Sequence, residues 1–184
     1  MARFLNSEEL NAGLENILRS PKDIGVLELI VRRPEVNERE TLSTGVLDPE
    51  LGLVGDNWKT RGSSRTADGF GHPEMQINVM NSRVISLIAQ EKSRWQLAGD
   101  QLFIDLDLSR ENLPPGTKLS IGETVIEVTE IPHTGCKKFV ERFGFDAMKF
   151  VNSEFGRQNG FRGVNAKVVK PGNISVGDLA AKIL

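Results

Sequence analysis

The sequence predicts a mixed, β-rich fold: a closed or strongly curved β-barrel with several peripheral α-helices. Three observations lead there. Strand-like runs are many and of modest length, long amphipathic helices are few, and strands do not alternate with helices at the spacing of parallel βαβ units. A chain of 184 residues can bury about 70% of the surface it exposes when unfolded, so residues 1–184 read as one domain with one sizeable core.

Asn6 and Glu9 have the spacing of a capping box, and Leu10, Leu14, Ile17 and Leu18 share a helical face before Pro21. Residues 1–21 are therefore expected to form a helical extension packed on the domain. Ile24–Val31 reads as a strand closed by Arg32-Arg33-Pro34, and the β-prone stretch Thr41–Asp48 is expected to pair with it. Asn57–Gly71 is polar, lacks periodicity and carries Lys59, Arg61 and Arg65. A loop of that length in a compact domain is usually functional or disordered, so it is either a cationic lid for an anionic ligand or a solvated loop.

Met75–Met80 alternates as a strand, and a helix follows from Ser82 with Val84, Ile85, Ile88 and Ala89 on one side. Trp95 and Leu97 read as core. Gln101–Leu108 reads as a half-buried strand, with Leu102, Ile104, Leu106 and Leu108 inward and Phe103, Asp105 and Asp107 outward. That alternation explains the two aspartates as solvent-facing, in preference to an acid/base pair. Lys118–Ile121 and Thr124–Ile131 form a hairpin around Gly122-Glu123. Beyond Cys136, Phe139, Val140 and Phe143 recur at helical spacing, and Phe145, Met148 and Val151 mark a second short helix. Phe161–Gly177 gives a strand, a Pro171-Gly172 turn and a brief strand; Asp178–Leu184 reads as a polar-capped tail.

Composition excludes several functions. Lys plus Arg number 23 against 25 Asp plus Glu, a net charge of -2, and no stretch concentrates cations as phosphate-backbone binding requires. Nucleic acid is not an expected partner. Glu8, Glu9, Glu15, Arg19 and Lys22 interrupt the apolar positions of the first thirty residues, which fits neither a signal peptide nor a membrane span; a cytoplasmic protein without a membrane partner is expected. One cysteine forms no internal disulfide, and with His72 and His133 it makes a poor zinc set.

The chemistry therefore rests on Cys136. Thiolate is the nucleophile and the soft metal ligand, and a free cysteine with a pKa near ~8.5 is mostly protonated at neutral pH. A helix start just after Gly135, with Lys137, Lys138 and His133 nearby, would favour the anion. The alternative is an inert, buried cysteine acting as a small hydrophobe.

Glu111–Ile131 (ENLPPGTKLSIGETVIEVTEI), then the lone cysteine, then Arg162–Asp178 (RGVNAKVVKPGNISVGD), in that order, resemble the MOSC domain, the C-terminal domain of molybdenum cofactor sulfurases, which also occurs as free-standing proteins. Gly45–Asp56 (GVLDPELGLVGD) extends the family-like core to residues 45–178. The resemblance implies a pyruvate-kinase-barrel-like β-barrel and gives Cys136 one of two roles, carrying sulfur as a persulfide or ligating the molybdenum of a pyranopterin cofactor. It makes Arg110, Asn112, Thr134, Lys137, Arg162 and Gly163 the candidate residues for binding the molybdenum cofactor. Arg suits phosphate through bidentate bonds, and Asn suits pterin edges.

The pyridoxal-phosphate domain of the cofactor sulfurases does not fit in this length, so pyridoxal phosphate would belong to a separate cysteine desulfurase acting as sulfur donor. Three functions follow: a sulfur carrier delivering to molybdenum cofactor or another metal–sulfur acceptor, for example on a molybdoenzyme; a molybdenum-dependent reductase of N-hydroxylated compounds fed by an electron-donor reductase; or a binding module with an inert thiol.

Overall fold

A computed structural model describes residues 3–183; the outermost positions of the expected N-terminal extension and C-terminal tail lie outside them. Seven strands close a barrel in the order β11-β7-β8-β9-β5-β6-β1, with β1 pairing back to β11. They are β1 (Ile24–Arg32), β5 (Ile77–Asn81), β6 (Leu102–Ile104), β7 (Lys118–Ile121), β8 (Thr124–Val128), β9 (Val164–Lys170) and β11 (Leu179–Ile183). Only β5 and β6 run parallel, so the barrel is mixed, as predicted. β2 (Glu40–Leu42) extends β1, and β3 (Thr44–Asp48), β4 (Gly52–Leu53) and β10 (Gly172–Ser175) form a small second sheet.

Alternation explains the barrel lumen. Leu27, Ile30, Ile77, Val79, Leu102, Ile104, Leu119, Ile121, Ile126 and Ala166 fill it, and Leu47, Leu53 and Ile174 of the small sheet plug one end. A second apolar cluster lies outside the wall. There Val31, Met80 and Phe103 face α1 (Ser7–Ala12), α2 (Leu14–Leu18), α4 (Ser82–Ala89), α5 (Lys137–Phe143) and α6 (Phe145–Asn152) through Leu10, Ile17, Ile85, Phe139, Phe143 and Val151. The predicted Asn6–Glu9 capping box is present. The β7–β8 turn falls at Gly122-Glu123, with Gly122 at φ +54°, a backbone shape that costs glycine least.

Three expectations need correction. Thr41–Asp48 is not one strand beside β1. β11 already occupies that edge of β1 at Ile24–Val26, leaving only Ile30–Arg32 for β2, so β3 leaves to pair with β10. Gln101–Leu108 is strand only at Leu102–Ile104, and its outer face is not solvated: Phe103 is fully buried under the helices, and Asp105 pairs with Arg83 at 2.7 Å. Leu106 and Leu108 still reach the core. The supposed tail holds β11, which pairs with β1 and β7 and closes the barrel. The long loop contains one helical turn, α3 (Trp58–Arg61), and α7 (Glu154–Gln158) is an element not anticipated from the sequence.

Candidate functional site

Cys136 is exposed and is the N-cap residue of α5; its carbonyl accepts the backbone N–H groups of Phe139 and Val140 at 2.9 and 3.2 Å. The peptide before it is clamped. Gly135 N–H donates to Asn152 Oδ1 at 2.8 Å, and Asn152 Nδ2 donates to the Gly135 carbonyl at 3.0 Å. The last residue of α6 thus fixes the segment that presents the thiol. Lys137 and Lys138 are exposed beside it, and Lys138 Nζ reaches Asn37 Oδ1 at 3.2 Å.

Three residues before the thiol, His133 turns inward to a buried polar group. Its Nδ1 lies 3.4 Å from Asp100 Oδ1, while Asp100 Oδ2 accepts Arg162 Nη1 at 2.7 Å. Arg162 Nη2 donates to the Ala98 carbonyl at 3.1 Å, and the guanidinium sits 5.0 Å over the Phe139 ring. Burial, reinforced by Arg162 and Arg33, holds the imidazole neutral, well below its ordinary 6.5. Burial also pushes the Asp100 carboxyl up, against the opposing pull of Arg162. Asp100 Oδ1, His133 Nδ1 and Arg162 Nε are buried without hydrogen-bond partners, so the group carries unused polar valence.

On the far side of Gly99-Asp100, arginines gather. Arg33 is buried and bidentate to Asp56 (Nη2–Oδ1 2.7 Å, Nε–Oδ2 2.8 Å), and its Nη1 donates to the Gly99 carbonyl at 2.9 Å. A Cβ placed on Gly99 would lie 3.5 Å from Arg39 Nη2 and 3.8 Å from Arg142 Nη1. Arg39 has a buried, unpartnered Nε. Burial and the like charges of Arg142, Arg33 and Arg61 pull its guanidinium down to about 10; burial and then Arg33 lower that of Arg61 as well. Asp56 is the carboxylate that opposes Arg39 and Arg61, and it is already committed to Arg33. Cys136 lies about 9 Å along α5 from Arg142 at 1.5 Å per residue. Such cations, held together without matching carboxylates, are a place for an anion to bind.

A cavity of about 220 Å³ opens on the other side of Arg162, between the barrel wall and α6–α7. Arg110, Thr134, Arg162 and Gly163 line it together, whereas Cys136 and Lys137 are not among its walls. Arg162 points away to Asp100. Gly163, at φ +102°, is demanded by packing, since a Cβ there would come within 2.2 Å of the Val79 carbonyl. Asn112 lies in a neighbouring groove and has its amide fully used: Nδ2 donates to the Lys22 and Asp107 carbonyls at 2.8 Å each, and Oδ1 accepts Lys182 Nζ at 2.9 Å. No residue from Lys59 to Arg65 lines the cavity; that loop instead sends Arg61 toward Arg33. The six candidate cofactor residues are therefore not one cradle.

Sequence reading missed Arg33, Arg39, Arg142, Asp100 and Asn152. Arg33 carried only the signal of a strand end, and Arg39 lay in a polar connection. A run of two arginines before a proline at the end of a buried strand was the one available hint. Among the described residues no three His, Cys, Asp or Glu side chains gather as a metal site.

The family model for the MOSC domain matches residues 66–180. No curated protein sequence matches. Among solved structures, the YuaD protein from Bacillus subtilis superposes with a TM-score of 0.65 at 15% identity, over 85% of this chain and 94% of that one. YiiM from Escherichia coli gives 0.56 at 18% identity, over 86% and 70%. YiiM from Geobacillus stearothermophilus gives 0.52 at 12%, over 89% and 74%. At these identities the likeness is one of fold.

Proposed function

Because this chain belongs to the MOSC domain family, we propose that it is a sulfur carrier in which Cys136 holds sulfur as a persulfide and delivers it to molybdenum cofactor or another metal–sulfur acceptor. The observation that carries the reading is an exposed thiol, the only one in the chain, clamped at its preceding peptide by Asn152 at the head of the helix whose last turn contributes Arg142 to an arginine cluster. An exposed cysteine on a fixed peptide is what a transfer between two proteins requires, since both partners must reach the sulfur.

The chemistry is thiol exchange. Cys136 thiolate attacks the terminal sulfur of a donor persulfide, a new S–S bond forms, the donor's S–S bond breaks, and the donor thiolate leaves; no external oxidant or reductant is consumed. The donor class is a cysteine desulfurase, which carries the pyridoxal phosphate, and exchange of this kind belongs to a reducing compartment such as the cytoplasm. Arg39, Arg61 and Arg142 would hold an anionic acceptor against the same face. Incubation with a cysteine desulfurase and cysteine is expected to add one reductant-sensitive sulfur atom by intact mass, and none to Cys136→Ala. A wild type that gains no sulfur overturns the carrier role.

The arginine cluster also favours a second reading, a reductase of N-hydroxylated compounds that retains molybdenum cofactor. Cys136 is free to ligate, and Arg39, Arg61 and Arg142 would take the cofactor's phosphate; the metal would supply the redox step. Molybdenum retained at one atom per chain after purification from a molybdenum-replete host selects this reading. Its absence from a protein that accepts sulfur selects the first.

A further inference from the structure

We propose that the 220 Å³ cavity between the barrel and α6–α7 binds a small monocarboxylate with an apolar body, at a site separate from the thiol. Its lining is mixed: Leu113, Val128, Val151 and Val164, from different elements of the fold, supply an apolar wall beside Thr129, His133, Thr134 and Asn165. At its mouth stand Arg110 and Arg157, both exposed and brought together where Arg110 N–H donates to the Gln158 carbonyl at 2.9 Å. Among the described residues neither side chain makes an ion pair or a hydrogen bond, and Glu130 is the one carboxylate on the lining.

The inner wall includes Arg162, whose side chain is only 7% exposed and whose Nε has no partner. Its Nη1 and Nη2 are spent on Asp100 and the Ala98 carbonyl, which leaves the head of a ligand to the two rim arginines. Apolar walls with a few convergent polar groups are the general make-up of small-molecule sites. A dry cavity of roughly 150 Å³ admits benzene, so this one has room for a body of about six carbons. Two guanidinium groups at the rim select a carboxylate head, through charge-assisted and bidentate bonds, over an ammonium or a hydroxyl. The orientation follows: head between Arg110 and Arg157, chain toward Val128 and Val151. Cys136 takes no part.

Hexanoate, hexylamine and hexanol, titrated into the full-length protein and followed by protein-observed NMR, test this. The expected result is that hexanoate shifts the signals of Val128, Val151 and Val164 and binds at least about tenfold more tightly than the other two. Arg110→Gln/Arg157→Gln, which alters only surface side chains, should weaken hexanoate about tenfold without lowering the melting temperature, and Cys136→Ala should bind as wild type does. Equal binding of the three probes, unchanged affinity in the double variant, acetate or inorganic phosphate competing as well as hexanoate does, or loss of binding in Cys136→Ala would each overturn it. The last result would leave the sulfur-carrier reading intact, just as failure to accept sulfur would leave this site intact.

Discussion

Two buried arginines, Arg33 and Arg162, stand on either side of Gly99-Asp100 and are treated differently by the fold. Arg33 is saturated. It bonds both oxygens of Asp56, Asn78 Oδ1 and the Gly99 carbonyl, and Asp56 also accepts the backbone N–H groups of Arg33 and Trp58. Arg162 has one carboxylate contact and one carbonyl, with three unpartnered atoms in its immediate group. The first arrangement fits a tie that holds β1 to the β4–α3 loop. The second leaves capacity unspent beside a cavity and a thiol. A buried charge with every donor matched belongs to stability, and one with atoms left over belongs to a site.

The largest expected effect breaks the saturated side. Asp56→Ala leaves Arg33 buried without its counter-ion and is expected to cost about 3–5 kcal/mol, a fall in melting temperature on the order of 10 °C for a domain of this size. A melt within about 2 °C of wild type would remove the distinction between the two arginines.

On the unsaturated side the signature is dependence on pH. Folded His133 is neutral well below 6.5 because it is buried, so as pH falls through 6.5 the unfolded chain takes a proton that the folded one refuses. Stability is therefore complete above that value and is lost going down, with a slope of up to about 1.4 kcal/mol per pH unit. Asp100, raised by burial, contributes with the opposite sign, and it is present in both proteins compared. Denaturant titrations between pH 7.5 and 5 should show the wild type losing stability more steeply than His133→Gln; parallel curves would show that the imidazole is protonated where it lies.

Arg39 is repelled by Arg142, Arg33 and Arg61 and, among the described residues, has no carboxylate of its own to pair with. Arg39→Gln is expected to raise stability by up to about 1 kcal/mol, the pattern of a residue kept for binding at the expense of stability. A clear loss in a denaturant titration would show that it supports the fold. The smallest effect falls on the thiol: Cys136→Ala should stay within about 0.5 kcal/mol of wild type, as surface changes do, and the folded wild type should be alkylated stoichiometrically without denaturant. A thiol modified only after unfolding would contradict its exposure.

The barrel was legible where strands alternate and a turn residue sits between them. Leu119 and Ile121 against Thr124 and Ile126, around Gly122, announce themselves. β11 was not, because Leu-Ala-Ala-Lys-Ile carries small residues and one buried position, Ala180, and its strand character comes from its two neighbours. The lone cysteine was legible by count. Its support was not: Asn152 meets Gly135 only because α5 and α6 fold back on each other across seventeen positions. The arginine cluster escaped for the same reason, since Arg33, Arg39, Arg61 and Arg142 come from four separate segments and no local spacing predicts that they converge.

The closure between β1 and β11 also governs how the chain reaches this structure. Ile24 pairs with Ala181, almost the full described length apart, so the barrel seals only when nearly the whole polypeptide is available. Pairings of such separation place a domain among the slower folders, in milliseconds to seconds. Until that seam forms, β1 and β11 each present an open edge of backbone donors and acceptors, the kind of surface through which unfinished chains stick to one another. Refolding yield should therefore depend on protein concentration well before stability does, and the seam, not the site, should set that limit.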